Sequence, residues 1–345
     1  MSESTRQPDK ATATANARRT FLKGALKGAA AAALVRPAQL LGQAVRPNAP
    51  VSTTASPLAT PMSRPSVVQI SDRKLLPVRI VQRSLLKDYL SEGLRLFTGE
   101  RTTPDAWHKI LKPDDIVLLK FNQSGARNIG TTPPLATELV DSLIKAGWSP
   151  EQLILLEESE GLRRHFKTRS ADYRWQEKTI DFGRSGKDSF IAALDQATAI
   201  INVPFLKTHH LATMTCCLKN LSHGLIQHPA RFHTNGCDPA IGEIVASPPI
   251  STKLKLNVVN GLRVLFDRGP EAGNNDMTSA GMLLIGRDPV ACDSVGYGIL
   301  NEIRSLHQLK PLLPSAAVPR QLVTAARLGV GQFDTEAIDL QKLSA

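Results

Sequence analysis

The sequence is poor in aromatic residues and lacks several short motifs that define common classes of protein. Only 5% of its 345 residues are Phe, Trp or Tyr. It contains no CxxC pair, which argues against a ferredoxin-type iron-sulfur cluster. It also contains no GxGxxG or Walker sequence, so nucleotide binding is unsupported. No segment reaches the roughly 18 consecutive apolar residues of a membrane span. What remains is a globular chain, 42% hydrophobic and long enough to form a core.

The chain is basic, with 42 Lys and Arg against 31 Asp and Glu, but much of the excess lies in a leader. The first 44 residues carry a net charge of +5, and the rest of the chain carries +6. That remaining charge is spread over about 300 residues and comes with three Tyr, three Trp and no recognition motif. The composition therefore argues against a nucleic-acid partner.

Residues 1–44 have the pattern of a twin-arginine signal peptide. Arg18 and Arg19 stand in the sequence RRTFLK, ahead of a weakly apolar stretch at 24–35 that is too short to span a bilayer stably. The small residues of Gly42-Gln43-Ala44 suit a signal peptidase. We expect the twin-arginine translocase to export the folded protein to the periplasm or the cell exterior.

Beyond this leader, residues 45–65 are rich in Pro, Ser, Thr and Ala and predict a flexible linker. Folding is expected to begin at residue 66 and to continue to 345, with the core over 115–300. In this part short apolar runs alternate with longer amphipathic segments, a pattern typical of α/β domains. We therefore expect an open, mostly parallel sheet with flanking helices.

Two predicted strands and the helix between them set the direction of this sheet. DIVLLKF at 115–121 and QLILL at 152–156 predict buried strands, and residues 133–146 predict the helix. Such a unit makes the two strands parallel, with a right-handed crossover. The other predicted elements are a helix at 189–194, strands at 199–203, 254–259 and 281–285, and a helix from Pro289 to Leu300 capped by Asp288.

Polar residues follow the predicted strands, where open α/β sheets bind their ligands. Lys120 and Asn122 come after the first strand, and Lys207 comes after the strand at 199–203. The loop beyond Asn122 leads into a helix N-terminus, whose N–H groups suit an anion, although a plain turn is an equal alternative. The residues that we expect to bind such an anion here are Asn122, Thr131, Thr132 and Lys207.

Histidine and cysteine cluster in one short stretch of the chain. Five of the eight His lie between residues 209 and 233, with three of the four Cys and Lys219 close by, whereas random scatter would put fewer than one His there. If 208–223 is largely helical, residues three and four apart share a face. One stripe then holds Thr208, Ala212, Thr215 and Lys219, and the adjacent stripe holds His209, Thr213, Cys216, Asn220 and His223.

The sequence allows three interpretations of this cluster: a transition-metal centre, an anion site without metal, or a polar helix end. Imidazole with thiolate suits Zn, Cu, Ni or Fe, and Lys suits carboxylate or phosphate. The spacing matches no established zinc signature. The metal ligands would be His209, His210, Cys216 and His223. The catalytic groups would be Lys120, His209 and Lys219, and Asn220, His233 and Asp293 would join the residues that bind substrate.

In an oxidising compartment the four cysteines form either one structural disulfide or buried thiols, with the pairing open.

A series of motifs runs in order over roughly residues 115–300. They are Lys120 with Asn122, TTP at 131–133, INVPFLKTHH at 201–210, LKN at 218–220, Gly269-Pro270 and DPVACD at 288–293. Together they resemble the family catalogued as domain of unknown function 362, many members of which carry a twin-arginine signal. Some members of that family add ferredoxin-type cluster motifs, which this chain lacks. Here Phe121 also replaces the usual Pro of KPN, and Asn260 stands where an acidic residue is common.

About forty residues, from the first strand through QLILLEESEG, are similar in layout to the nickel-pincer lactate racemases, an analogy at the level of fold. That similarity implies removal of a proton or hydride beside a carboxylate, with Lys120 and Lys219 binding the acid and His209 acting as base or ligand. We expect an exported enzyme that acts on a small anionic molecule, with a metal or metal cofactor near His209. The alternative is a non-catalytic periplasmic protein that binds a ligand or assists a redox partner.

Overall fold

The fold is that of an α/β protein, seen in a computed structural model that describes residues 64–271, 273–314 and 317–344. The predicted signal at 1–44 and nearly all of the predicted linker at 45–65 lie outside the described residues. Within them, a mixed and mostly parallel sheet of nine strands carries helices on both faces, which confirms the predicted fold class.

The central sheet has the strand order β11-β1-β10-β9-β6-β2-β3, and β7 and β8 join it through β9. In chain order the strands are β1 (Ser66–Ser71), β2 (Val117–Lys120), β3 (Leu153–Leu156), β4 (Ile180–Asp181), β5 (Lys187–Asp188), β6 (Ala199–Asn202), β7 (Phe205–His209), β8 (Thr213–Thr215), β9 (Leu254–Leu265), β10 (Met277–Gly286) and β11 (Asp339–Ser344). Strands β4 and β5 form a separate antiparallel pair.

The α-helices occupy both sides of this sheet. In chain order they are α1 (Arg83–Thr98), α2 (Thr103–Ile110), α3 (Ala126–Ile129), α4 (Thr132–Lys145), α5 (Glu160–Phe166), α6 (Ala193–Gln196), α7 (Cys217–Ser222), α8 (Ala240–Ala246), α9 (Pro248–Ser251), α10 (Pro289–Leu306) and α11 (Arg320–Arg327). Helices α1, α2 and α4 pack on one face, and α6, α7, α8, α10 and α11 pack on the other.

Successive side chains of a strand point to opposite faces of the sheet. Because helices cover both faces, the inner strand residues are buried on either side. In β2, Val117 and Leu119 pack with α1, α2 and α4, while Leu118 packs in the opposite layer. This is why the sequence of β2 is a continuous apolar run instead of an alternating one.

The predicted strand-helix-strand unit is present. Strand β2 pairs in parallel with β3, in the register Val117 opposite Leu153, and α4 connects them. The predicted cap of α10 is also confirmed, because Asp288 Oδ1 accepts hydrogen bonds from the backbone N–H groups of Val290 and Ala291 at 2.8 and 2.9 Å. The helix predicted at 189–194 is displaced: it forms at Ala193–Gln196 because Phe190 and Ile191 make isolated β-bridges.

The prediction that 208–223 is largely helical is wrong. Thr208 lies in β7, which pairs antiparallel with β8, and the helix α7 begins only at Cys217. The β-branched threonines at 208 and 215 favour extended backbone, and β9 supplies the pairing partner that stabilises it. The two side-chain stripes predicted for this segment therefore do not exist.

A long strand creates the platform for a site. Strand β9 has twelve residues, and its first part pairs in parallel with β6. Its second part extends beyond the ends of β2, β3 and β6 and pairs with β7, with Asn260 opposite Phe205 and Leu265 opposite Lys207. Strand β7 thereby places Lys207 and His209 beyond the carboxyl edge of the parallel strands.

All four cysteines are buried free thiols, which agrees with one of the two alternatives open from the sequence. In the described ranges, no helix combines the length and the apolar character that crossing a bilayer requires.

Candidate functional site

Three lysine side chains are buried at the carboxyl edge of the sheet. Lys120 ends β2, Lys207 lies in β7 and Lys219 lies in α7, so they come from three separate elements. Their exposed fractions are 0%, 1% and 6%. Lysine is rarely buried to this extent unless its ammonium group is paired. The partners of the three Nζ atoms therefore define the chemistry of the site.

Lys120 is held by an ion pair and by neutral acceptors. Its Nζ lies 3.0 Å from Oε2 of Glu157 and donates to the carbonyl oxygen of Phe121 at 2.6 Å and to Oδ1 of Asn220 at 3.3 Å. Burial lowers the pKa of Lys120, and the Glu157 carboxylate opposes that shift. A Cβ atom at Gly224 would come within 2.6 Å of Nζ, so a glycine is needed there to leave room for the ammonium group.

Glu157 belongs to the site. In sequence the acidic run 157–160 is compatible with either a general base at a strand end or a solvated loop. Glu157 follows β3 with a left-handed backbone, at φ 64°, and its side chain is 8% exposed. Oε2 also accepts a hydrogen bond from the backbone N–H of Gln123 at 3.0 Å. The carboxylate is therefore fixed between the segment after β2 and Lys120. Its position directly after a parallel strand is the sequence signal that identifies it.

Lys207 has neutral oxygen atoms as its direct partners. Its Nζ donates to the carbonyl oxygen of Ser124 at 2.6 Å and lies 3.2 Å from that residue's hydroxyl, which donates to Glu271 at 3.0 Å. Burial lowers the pKa of Lys207 to about 7; Glu271 opposes the shift, and the charges of Lys219 and Lys120 add to it. Lys207 therefore exchanges its proton near neutral pH.

Lys219 is paired with an imidazole. Its Nζ lies 3.2 Å from Nε2 of His233, and Nδ1 of the same ring lies 2.9 Å from the carbonyl oxygen of Pro229. A carbonyl only accepts, so Nδ1 carries the ring proton and Nε2 accepts from the lysine. Burial lowers the pKa of Lys219 to about 8 and that of His233 to about 4, which keeps the imidazole neutral at pH 7.

His209 presents an N–H group. Its Nδ1 accepts hydrogen bonds from the backbone N–H groups of Leu211 at 3.1 Å and Ala212 at 3.2 Å, so the neutral ring carries its proton on Nε2. Burial and the nearby charge of Lys219 hold the pKa of His209 far below its ordinary value. In this geometry His209 is a hydrogen-bond donor. To serve as the predicted metal ligand, it would have to release either a proton or its backbone contacts.

The other histidines of the cluster lie around this ring. His209 stacks on His210 at a centroid distance of 5.1 Å and on His233 at 5.8 Å, and His223 meets His233 edge-on at 4.5 Å. His210 is exposed, and its Nδ1 lies 3.4 Å from the carbonyl oxygen of Gly269. The structure thus gathers the predicted histidines next to Lys219, with His210 at the rim.

A chain of buried amides fixes α7 against the sheet. Nδ2 of Asn220 donates to Oδ1 of Asn202 at 2.7 Å and to the carbonyl oxygen of Lys120 at 3.3 Å. Nδ2 of Asn202 in turn donates to Oδ1 of Asn257 at 2.9 Å. Such a satisfied network rigidifies its surroundings. Asn220, predicted to bind substrate, holds Lys120 in place through both ends of its amide.

The polar side chains predicted to bind an anion after β2 are buried, and one of them has no hydrogen-bond partner among the described residues. The Thr131 hydroxyl donates to Oδ1 of Asn260 at 3.0 Å, while Nδ2 of Asn260 and the Thr132 hydroxyl are buried with no partner among the described residues. Asn122 is also buried. Unpaired buried polar atoms cost free energy, so a ligand that reached them would stabilise the protein.

Asp293 holds α7 from its N-terminal end. Its two carboxylate oxygens accept hydrogen bonds from the backbone N–H groups of Cys217 at 2.6 Å and Leu218 at 3.2 Å. Cys216, Cys217 and Asp293 form one group of potential ligand atoms, and His223 belongs to another. Cys216 is therefore placed apart from the histidines with which the sequence grouped it. Asp293, predicted to bind substrate, positions the helix that carries Lys219.

These features define an α/β protein whose carboxyl sheet edge holds a basic, histidine-lined site. A family model described as Domain of unknown function (DUF362) matches residues 117–298, and the chain belongs to that family. A comparison with the curated proteins yields no match. The twin-arginine leader and the similarity to lactate racemases stay predictions.

Replacing Asp293 by Asn will change how stability depends on pH. Burial raises the pKa of Asp293 to about 7, from an ordinary value of 3.8. The native state therefore holds this proton more tightly than the unfolded state, and the stability that Asp293 contributes at low pH is lost as the pH rises from about 4 to about 7. The expected loss is up to about 1.4 kcal/mol per pH unit.

The measurement is the free energy of unfolding of both proteins by urea at several pH values. Contributions of other titrating groups cancel when the free energy of unfolding of D293N is subtracted from that of wild type. This difference should decrease as the pH rises, because only wild type loses the contribution of Asp293. A difference that stays constant from pH 4 to pH 8 would contradict a raised pKa of Asp293 in the native state.

Proposed function

We propose that this protein is an enzyme that binds a small anionic molecule at the three buried lysines and transfers a proton on it. The observation that carries this proposal is the charge balance of the site. The three lysines are almost completely buried. Among the residues that the structure describes, only one carboxylate, that of Glu157, lies within ion-pair distance of any of their ammonium groups. The site thus has an excess of positive charge in a buried place.

An anion would supply the missing charge. A buried ammonium group is costly unless it is paired. Lys120 has Glu157, whereas Lys207 and Lys219 have only neutral direct acceptors, the Ser124 oxygens and a His233 nitrogen. A carboxylate or phosphate next to these two lysines would stabilise their charged forms and raise their pKa values.

The proton chemistry follows from the tautomers and the pKa values. His209 offers an N–H group that suits an oxygen on which negative charge develops. Lys207 has a pKa of about 7, so part of the protein carries it as a neutral amine at neutral pH. In that form it accepts a proton from the bound molecule, and the neighbouring anionic group makes the amine a stronger base. These groups support removal of a proton from carbon beside a carboxylate. The proposal also includes a transition metal close to His209, because several imidazoles lie together there.

Replacing Lys207 by Met should weaken anion binding while preserving most of the side-chain volume. The probes are inorganic phosphate and oxalate, titrated at pH 7 by calorimetry. Loss of one charge-assisted contact predicts an affinity roughly 10- to 100-fold lower. The matched control is K253M, because Lys253 is half-buried and, like Lys207, donates to a carbonyl oxygen, that of Leu194 at 2.6 Å. Equal affinity in K207M and wild type would contradict the proposal.

Turnover distinguishes the enzyme from a binding protein. Wild type, K207M and K253M are incubated in deuterium oxide with 2-hydroxy acids, and exchange of the hydrogen on the carbon beside the carboxylate is followed by NMR. Exchange in wild type and K253M that is lost in K207M supports catalysis. Binding without exchange or conversion of any acid would favour the non-catalytic ligand-binding or redox-accessory alternative.

We also propose that the twin-arginine translocase exports this protein. The support is the sequence RRTFLK at residues 18–23. Changing Arg18 and Arg19 to Lys retains the charge and removes the guanidinium pair, so the full-length protein should remain in the cytoplasm, while wild type reaches the periplasm. Cell fractionation measures this, and an R6K variant serves as control. Equal export of the Lys-Lys variant would contradict the proposal.

A further inference from the structure

The second half of the histidine cluster contains a compact set of three potential metal ligands. His223 follows α7, and His233 and Cys237 lie in the 3-10 helical segment Pro229–Cys237. One ring nitrogen of each histidine and the Cys237 sulfur all lie within 4.8 Å of one another. His223 and His233 are half-buried and Cys237 is buried. The set includes a cysteine that the sequence did not place in the site.

The two imidazoles are oriented as in metal sites. Nδ1 of His233 lies 2.9 Å from the carbonyl oxygen of Pro229, and Nε2 of His223 lies 3.3 Å from that of Phe232. These nitrogens donate, which leaves the lone pairs on Nδ1 of His223, 3.0 Å from the Ser222 hydroxyl, and on Nε2 of His233, 3.2 Å from Lys219 Nζ. A metal bound at these two nitrogens would displace both contacts. Metal-binding histidines show this arrangement, with the non-ligating N–H held by a carbonyl or carboxylate.

The backbone before Cys237 brings its sulfur to the histidines. Asn235, Gly236 and Cys237 are all left-handed, with φ values of 51°, 70° and 66°. This conformation is unfavourable for cysteine. A tetrahedral zinc ion, with bonds of about 2.0 Å to nitrogen and about 2.3 Å to sulfur, needs ligand atoms about 3.3 to 3.6 Å apart. The three groups, which lie within 4.8 Å of one another, therefore have to approach by at most about 1.5 Å to bind such an ion.

We propose that His223, His233 and Cys237 form a site for a first-row transition metal such as Zn²⁺, with a fourth coordination position left open. Two nitrogens and one sulfur suit this class of metal, and three protein ligands are typical of zinc sites that take part in catalysis. This ligand set replaces the one expected from sequence, His209, His210, Cys216 and His223, of which it retains His223.

The proposed metal site is connected to the proposed anion site through Lys219. Nε2 of His233 accepts a hydrogen bond from Lys219 Nζ at 3.2 Å. A metal bound to that nitrogen would displace this hydrogen bond. Lys219 would then turn to another acceptor, such as an anion held by Lys207. The inference deepens the proposed function and rests on it for this connection, whereas metal binding itself is independent of it.

Cobalt(II) tests the ligand set directly, because a bound thiolate gives a sulfur-to-cobalt charge-transfer band in the near ultraviolet. The full chain is freed of metal with a chelator and titrated with Co²⁺, then with Zn²⁺ in competition. We expect one Co²⁺ per chain, the thiolate band, and displacement by Zn²⁺. C237S should abolish the band, and H233A should weaken Co²⁺ binding roughly ten-fold or more.

The matched control is C216S, which removes an equally buried thiol that belongs to the other group of ligand atoms. It should retain the band. Circular dichroism checks that each variant is folded. If C237S does not fold, C216S and H233A decide: the proposal requires the band to be kept in C216S and weakened in H233A. No thiolate band in wild type, or a band that survives C237S and disappears in C216S, would overturn the proposal.

Phosphate titration of the same metal-free samples separates the two proposals. Phosphate binding without a thiolate band means that the metal site is wrong and the anion site stands. A thiolate band without anion binding means the reverse.

Discussion

The whole site depends on burying three ammonium groups at one edge of a parallel sheet. Burial alone would drive each lysine to lose its proton, and each local contact limits that tendency to a different degree. Glu157 gives Lys120 a full negative charge at 3.0 Å. Lys207 and Lys219 have only neutral atoms as direct partners and have pKa values of about 7 and about 8. This gradation separates Lys120, whose charge is already balanced by Glu157, from Lys207 and Lys219, whose protonation can respond to a ligand.

The fold brings these groups together through one long strand and one short helix. Strand β9 continues past the ends of its neighbours and gives β7 a partner, which carries Lys207 and His209 beyond the edge. Helix α7 has only six residues and is held at its N-terminus by Asp293 and along its side by the Asn220 amide. Every residue with a role in the proposed chemistry is therefore positioned by a backbone or side-chain contact that can be removed separately.

The sequence predicted the parallel unit from β2 to β3 and the placement of Lys120 after a buried strand, because apolar runs and strand ends are local signals. It could not predict that Thr208 would pair with Met214, since β7 needs β9 as its other partner, some fifty residues further on. The helical stripes, and with them the grouping of Cys216 with His223, failed for this reason. Cys237 was missed because its place next to His233 depends on a left-handed turn, and Glu157 because its partner Lys120 is 37 positions away.

The most direct test of this account is the pKa of the Lys207 ammonium group, followed by NMR of the labelled lysine side chains with K207M to assign the signal. Because Lys207 is buried with only neutral direct partners, its pKa should be about 7 in the free protein, against an ordinary value of 10.5, and should rise when phosphate or oxalate is added. A value near 10.5 that does not change with either anion would contradict it, because Lys207 would then be neither desolvated nor next to the ligand.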